Sequence, residues 1–269
     1  MKQVKTYVVS NELILPGGSH QAGRALAIHL MRLHCPVIAS ESKPGQFVMV
    51  RCGHDCVLPR PFSIHQVNDG GITLFYAVWE DGKGTTWLSQ RKVGDIIELF
   101  GPLGNGYSIH LASHNLLLVA GGTGIAPLLF LAQEALKQNC SVTLLYGTAT
   151  KERYEKSRPL PSGIRLISAT EDGTIGKKGK VTDLLPESAE WADQIFACGP
   201  IPMYRDIALK QQELKLEGKE VQISLEVRMG CGFGICYGCT LKTKNGPKQV
   251  CQNGPVFDLE DILWDELNY

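Results

Sequence analysis

Four cysteines, Cys231, Cys236, Cys239 and Cys251, follow the spacing C-x4-C-x2-C-x11-C in a chain of 269 residues. Thiolates are soft metal ligands, and the first three reproduce the plant-type spacing with which cysteines hold a 2Fe-2S cluster. The stretch that carries them, "CGFGICYGC", is rich in glycine. Glycine reaches positive φ and lets backbone N–H groups approach sulfur atoms, where hydrogen bonds tune a cluster's potential. Tetrahedral zinc is the alternative ligand chemistry, but it usually pairs its thiols as two C-x2-C knuckles. Only one such pair is present here. Phe233 and Tyr237 are expected to pack around the loop without a redox role.

Further motifs point to phosphate. "LLLVAGGTGIAP" delivers a strand into a glycine turn at Gly121, Gly122, Thr123 and Gly124, then into a helix with Pro127 in its first turn. Proline is tolerated there because its missing N–H would be unpaired anyway, and the open N–H groups of a helix start attract phosphate. Pro127 stands where the third glycine of G-x-G-x-x-G would fall, counting from Gly122. A second glycine turn, Cys198, Gly199 and Pro200, closes a later strand before another helix. Both turns thus lie at strand C-terminal ends, where open α/β sheets bind ligands. In the N-terminal half, Arg60, Pro61, Phe62 and Ser63 bring together a cation, a rigid turn and a hydroxyl. "EDGKGTTWLS", residues 80–89, predicts a helix capped at Thr85 or Thr86. Arginine with helix-start N–H groups can hold a pyrophosphate. Each motif alone reads as an ordinary turn, and their combination carries the argument. "CGHDC" at 52–56 is read as a turn after a strand rather than a second metal site, and Cys35 and Cys140 as packing residues.

The elements that must position these residues change character along the chain. Up to about residue 105, short β-rich segments ("QFVMVR", "GGITLFYAVWE", "VGDIIELFGPLG") alternate with Pro and Gly punctuation, which predicts an antiparallel barrel or sandwich. The segment "PGGSHQAGRALAIHLMRLHC" stays unassigned, because His20, Ala25, His29 and Leu33 could follow a helical face while Gly17, Gly18 and Gly23 favour a loop. From about residue 113, apolar strands alternate with helical segments, as βαβ units of a mostly parallel sheet do. The closing "FDLEDILWDELNY" is acidic and partly helical in pattern. The expected fold class is multidomain β and α/β: a barrel over 1–110, a Rossmann-like domain over 111–222 and a small cysteine module over 223–269.

Lys plus Arg and Asp plus Glu each number 27, so no overall field favours nucleic acid or an anionic membrane. The longest apolar stretch is broken by three glycines and a proline, unlike a membrane span. "MKQVKTYVVSNELI" alternates apolar and polar residues and reads as no signal peptide. Nine cysteines without such a signal suit metal binding in a reducing cytoplasm better than disulfides.

Together these residues resemble the ferredoxin-reductase superfamily, with R-P-x-S on a flavin-binding barrel, G-G-T-G-I-A-P opening an NAD-binding domain and C-G-P closing it. The C-terminal module is similar to that of the electron-transfer subunits of bacterial NAD-dependent dihydroorotate dehydrogenases. The resemblance runs from "KPGQFVMVRC" onward, and the Gly17–Gly23 stretch departs from it. It implies FAD against Arg60, Pro61, Phe62, Ser63, Ala77, Val78, Trp79, Gly84 and Thr85. It implies a 2Fe-2S cluster on Cys231, Cys236, Cys239 and Cys251, and NAD as substrate. It further implies an FMN-containing dihydroorotate dehydrogenase catalytic subunit as partner in a hetero-oligomer, a heterotetramer serving pyrimidine biosynthesis. Hydride transfer needs no side-chain acid or base, so no catalytic side chain is named, and Glu226, Asp172 and the seven histidines are read as structural. NAD rather than NADP follows from the resemblance alone, since "SVTLLYG" runs into Gly147 and Thr148 with no acidic ribose ligand. Two alternatives stay open: the flavin and iron–sulfur subunit of a ferredoxin:NADP reductase or sulfhydrogenase, and a zinc-containing nucleotide-binding regulatory protein.

Overall fold

The computed structural model describes residues 2–16, 25–151 and 160–267. Six antiparallel strands close a barrel in the order β1-β2-β5-β4-β3-β6. They are β1 (Lys2–Pro16), β2 (Ala25–His34), β3 (Phe47–Val50), β4 (Arg60–Asn68), β5 (Gly71–Trp79) and β6 (Ile96–Leu103). Period-2 patterning drives this closure. In β6, Ile97 and Leu99 fill the interior while Ile96 stands outside. The segment left unassigned in the sequence resolves from Ala25 onward as β2, with Met31 and Leu33 fully buried and Arg32 and His34 turned away. Its helix-spaced residues mislead because a strand of alternating residues also contains i, i+4 pairs. Gly17, Gly18, His20 and Gly23 lie outside the described residues. Each fully buried Leu, Ile or Val in this interior contributes about 1.5–3 kcal/mol.

The second layer is a seven-stranded sheet in the order β10-β9-β8-β7-β11-β12-β15. Its strands are β7 (Asn115–Gly121), β8 (Ser141–Thr148), β9 (Ile164–Thr170), β10 (Lys177–Lys178), β11 (Gln194–Cys198), β12 (Val221–Ser224) and β15 (Val256–Asp258). All run parallel except β15, which pairs antiparallel to β12. Leu116 to Ala120 of β7 are all buried, as expected of a central strand covered on both faces. Helix α3 (Ile125–Lys137) follows β7, and nine of its 13 residues are buried. A helix so apolar around its circumference must be covered on more than one side. Here Leu128, Leu129 and Leu131 join the core under the sheet, while Phe130 joins the core of the barrel.

The remaining chain forms the hairpin β13 (Thr240–Thr243) and β14 (Gly246–Gln249), a short helix Val250–Asn253, β15, and two 3-10 turns, Leu259–Asp261 and Trp264–Glu266. The helical pattern of the C-terminus is therefore spent in single turns, the first capped by Asp258, whose Oδ1 accepts from Glu260 N–H at 2.8 Å. Strand β12 spans the expected 222/223 boundary, and β15 from beyond it completes the sheet's edge.

Helix α2 (Lys83–Ser89) is fastened to the barrel through Asn11 of β1. Its Nδ2 donates to the carbonyls of Leu88, Ser89 and Arg91 at 3.1, 3.0 and 2.9 Å. Its Oδ1 accepts from His29 Nδ1 at 3.2 Å and from Tyr76 OH at 3.4 Å. Asn11→Leu strands these groups and is expected to lower the unfolding free energy by about 1–3 kcal/mol, measurable by denaturant titration.

Candidate functional site

A cleft of about 580 Å³ runs between the barrel and the C-terminal edge of the sheet. Its floor is made by the two glycine turns, and glycine is required at their junction. A Cβ on Gly124 would overlap the Cys198 carbonyl, and one on Gly121 would come within 2.8 Å of Pro200 Cδ. The backbones of the "GGTG" and "CGP" turns therefore touch. Gly122, at φ +55°, has open space where its Cβ would stand and faces the cleft. Gly199 N–H donates to the Tyr204 hydroxyl at 2.8 Å, and that hydroxyl donates to Ser224 O at 2.6 Å, which fixes the second turn to β12. Cys198 lies buried beneath the turn, its thiol pushed well above the usual range by burial and then by Glu226. It is a neutral packing group.

On the barrel side, Ala77 and Trp79 line the cleft together with Phe75. Val78 alternates inward to the barrel core, as does Phe62. Arg60 opens β4, and its Nη1 donates to Leu58 O at 2.7 Å. The Arg60 chain lies over Gly84, where a Cβ would come within 3.0 Å of its Cγ. The arginine and the start of α2 are thus brought together, 24 positions apart in sequence. Thr85 Oγ1 donates back to Gly82 O at 3.0 Å within the same turn. Pro61 and Ser63 pair with Met49 and Phe47 of β3.

The cysteine loop rests on the same barrel. A Cβ on Gly232, at φ +82°, would stand 2.5 Å from Met49 Cγ of β3, and Phe233 meets Phe100 of β6 edge-on at 6.1 Å. The eleven-residue gap before Cys251 is the hairpin β13–β14, whose register pairs Thr240 with Gln249 and returns the chain beside Cys239. Val250 N–H then donates to Cys239 O at 3.1 Å. Backbone N–H groups reach the sulfurs: Gly234 to Cys251 at 3.2 Å, Gly238 to Cys236 at 3.5 Å and Cys251 to Cys239 at 3.4 Å.

The thiols influence one another, Cys231 with Cys236 and Cys251 with Cys239 and Cys231. Burial opposes ionisation of Cys231, but N–H groups of Phe233, Cys236 and Ile235 outweigh it and bring the thiol down to about 6. Burial and the neighbouring Cys239 push Cys251 up to about 12. The C-x4-C-x2-C-x11-C spacing and the N–H donors around these sulfurs fit a 2Fe-2S cluster. Cys52 of the "CGHDC" turn is buried in the barrel core.

Comparison with known proteins agrees with this geometry. Residues 226–263 match the family model described as the iron-sulfur cluster binding domain of dihydroorotate dehydrogenase B, and residues 118–208 match the oxidoreductase NAD-binding domain. The dihydroorotate dehydrogenase B (NAD(+)) electron transfer subunit of Desulforamulus reducens is 37% identical over 248 residues, covering 88% of this chain and 93% of its own. That of Clostridium acetobutylicum is 40% identical over 235 residues, covering 84% and 88%. The chain belongs to this family of electron transfer subunits. Members are oxidoreductase subunits, and the resemblance read from the motifs holds. Among solved structures, that of an NADH-dependent reduced ferredoxin-NADP oxidoreductase superposes with a TM-score of 0.82 at 28% identity, covering 97% of this chain and 91% of that one. The ferredoxin NADP+ reductase of Neisseria gonorrhoeae shares the fold, with a TM-score of 0.65 at 18% identity, over 80% of this chain and 92% of that one.

The structure also places in the cleft residues that sequence patterns passed over. Glu226, read as structural, lines it. Its carboxylate is open to solvent along the groove, yet protein packs around it closely enough that burial raises its pKa. Glu171, at the end of β9, lines the cleft beside Thr148, and its N–H donates to Thr148 O at 3.2 Å. It places a carboxylate at the cleft wall next to the end of β8. Neither signal is local, because each depends on which strand ends become neighbours. Asp172 is structural as read, with Oδ1 accepting from Thr174 N–H at 3.0 Å and Oγ1 at 2.6 Å. Cys239→Ser or Cys251→Ser is expected to lose most bound iron, whereas Cys52→Ser and Cys56→Ser retain it, as iron assay per chain will report.

Proposed function

We propose that this chain is the NAD-linked electron transfer subunit of a dihydroorotate-oxidising complex in pyrimidine biosynthesis, and that its cysteine loop is the contact with an FMN-containing catalytic subunit. The observation that carries the reading is the position of that loop. It is seated on flavin-barrel strand β3 through Gly232, while its outer side presents Cys236 among exposed Phe233, Ile235 and Tyr237, with Leu58 beside Gly230. Clustered apolar exposure of this kind marks a protein contact. An electron carrier must lie close to both its donor and its acceptor, and a loop seated on the barrel with its other face outward supports this reading.

In this reading the regions 1–110, 111–222 and 223–269 serve FAD, NAD and the 2Fe-2S cluster in turn. When bound, the cluster supplies one-electron transfer, the nicotinamide accepts a hydride, and the flavin joins the two. The chain's own work is binding and alignment. Arg60 and the N–H groups of Gly84 and Thr85 hold the flavin pyrophosphate, Pro61 and Ser63 lay the flavin along β4, Ala77 and Trp79 border it, and Phe62 and Val78, whose side chains fill the barrel core, support it from beneath. Gly121, Gly122, Thr123 and Gly124 receive the NAD pyrophosphate at the start of α3. Cys198, Gly199 and Pro200 form the shelf that holds the nicotinamide against the flavin, a placement that removes most of the entropic barrier to transfer. Cys231, Cys236, Cys239 and Cys251 ligate the cluster.

The expected assembly is a heterotetramer with the catalytic subunit in the cytoplasm. Among the described residues no helix is long and apolar enough to cross a membrane. The similarity to the ferredoxin-NADP oxidoreductase structure favours a second reading, in which the same machinery serves a different partner. Relatives at 33–40% identity named for dihydroorotate dehydrogenase B support the first.

The test is anaerobic purification from the native host with whatever binds the chain, followed by assay of dihydroorotate-dependent NAD+ reduction. Activity lost on removing this chain supports the proposal. A coloured, NADH-reducible complex inert toward dihydroorotate moves the chain to the second reading. Ile235→Asp is expected to weaken copurification of the partner while leaving the chain's own iron content unchanged.

A further inference from the structure

Strands β4 and β5 pair in the register Ile64↔Leu74 and then Gln66↔Thr73, so β4 spends one residue more than its neighbour. His65 is that extra residue and occupies a β-bulge, a device that re-aims a side chain. Ile64 is fully buried in the barrel core. His65, also buried, faces helix α3, where its Nδ1 lies 2.8 Å from the Ala126 carbonyl. A carbonyl only accepts, so Nδ1 carries the proton. Burial holds the imidazole down to about 4, which leaves it neutral at ordinary pH. The ring also stacks on Phe75 of β5, with centroids 5.3 Å apart and planes at 27°, and Phe75 lines the cleft.

Three parts of the site therefore meet at one side chain. Ser63, the end of "RPFS", lies two residues before His65 on the same strand, and Gly124, the end of "GGTG", lies two residues before Ala126. Phe75 is wall between them. An apolar side chain would fill this space without the desolvation cost of an imidazole, so what the polar contact adds is one defined arrangement rather than bulk stability.

We propose that His65 is a positioning residue that sets the glycine turn of α3 against the flavin strand, and through it the alignment of nicotinamide with flavin. The inference rests on the reading of Gly121–Gly124 as the NAD turn. Sequence patterns did not reveal it, because a bulge is a property of two strands in register.

The test compares His65→Asn, whose amide keeps a donor near the Nδ1 position, with His65→Leu, which removes it. Both are made in the full chain loaded with FAD and cluster, under anaerobic conditions. NADH affinity, the long-wavelength absorbance on mixing NADH with oxidised flavin, and flavin content are measured. His65→Leu is expected to bind NADH about tenfold more weakly and to lose intensity in the long-wavelength band while retaining flavin. His65→Asn is expected to restore both. If His65→Leu cannot be purified, His65→Gln, with its donor one bond further out, takes its place with the same expected loss. Wild-type NADH affinity and band intensity in the donor-less or displaced-donor variant would overturn the proposal, as would equal losses in His65→Asn. Gly122→Ala, whose methyl would stand in the open cleft, serves as the control. If it weakens NADH binding and the His65 variants do not, the inference alone fails; if it too has no effect, the NAD reading of the turn fails.

Discussion

The arrangement of this molecule depends on a helix that has almost no solvent face. Helix α3 is packed under its own sheet through Leu128, Leu129 and Leu131, and into the barrel through Phe130. Its first turn is pressed against the "CGP" turn with no room for a side chain at Gly124. A buried helix clamped on two sides cannot shift without opening two cores. The barrel wall and the glycine turns are consequently held as the two sides of one cleft, which is the condition for aligning two redox ligands without catalytic side chains.

The cysteine module applies the same logic on the neighbouring barrel strands β3 and β6. Gly232 allows the loop to lie on Met49, and Cys239, Leu241, Val250 and Cys251 share a hydrophobic cluster with Phe47, Met49 and Leu103 of the barrel and Leu225 after β12. Strand β15 then fastens the module to the edge of the parallel sheet. The loop is thus braced by both layers while Cys236 stays exposed. Such bracing keeps N–H donors at the sulfurs, and with them the environment that sets a cluster's potential.

Much of this was legible in the sequence because the chemistry is local. Thiol spacing, glycine density and the strand-turn-helix pattern of "LLLVAGGTGIAP" each report a short stretch of backbone, and the switch from punctuated strands to βαβ units reports the layer architecture. What escaped was nonlocal. Strand β2 was masked by helix-like spacing, and the C-terminal pattern suggested helix where β15 and two 3-10 turns form. Glu226 and Glu171 reach the cleft because of strand order, Arg60 meets Gly84 because of barrel closure, and His65 turns to α3 because of register. None of these is encoded in a window of a few residues.

The central claim is that one chain fixes the nicotinamide site, the flavin barrel and the cysteine loop as a continuous electron path. Anaerobic addition of NADH to the purified, fully loaded chain without any partner tests it directly, with visible absorbance and low-temperature EPR recorded together. Bleaching of the flavin bands accompanied by the EPR signal of a reduced 2Fe-2S cluster is the predicted result. Flavin bleaching with intact iron and no cluster signal would contradict the account, because the loop would then be attached to the barrel without being wired to it.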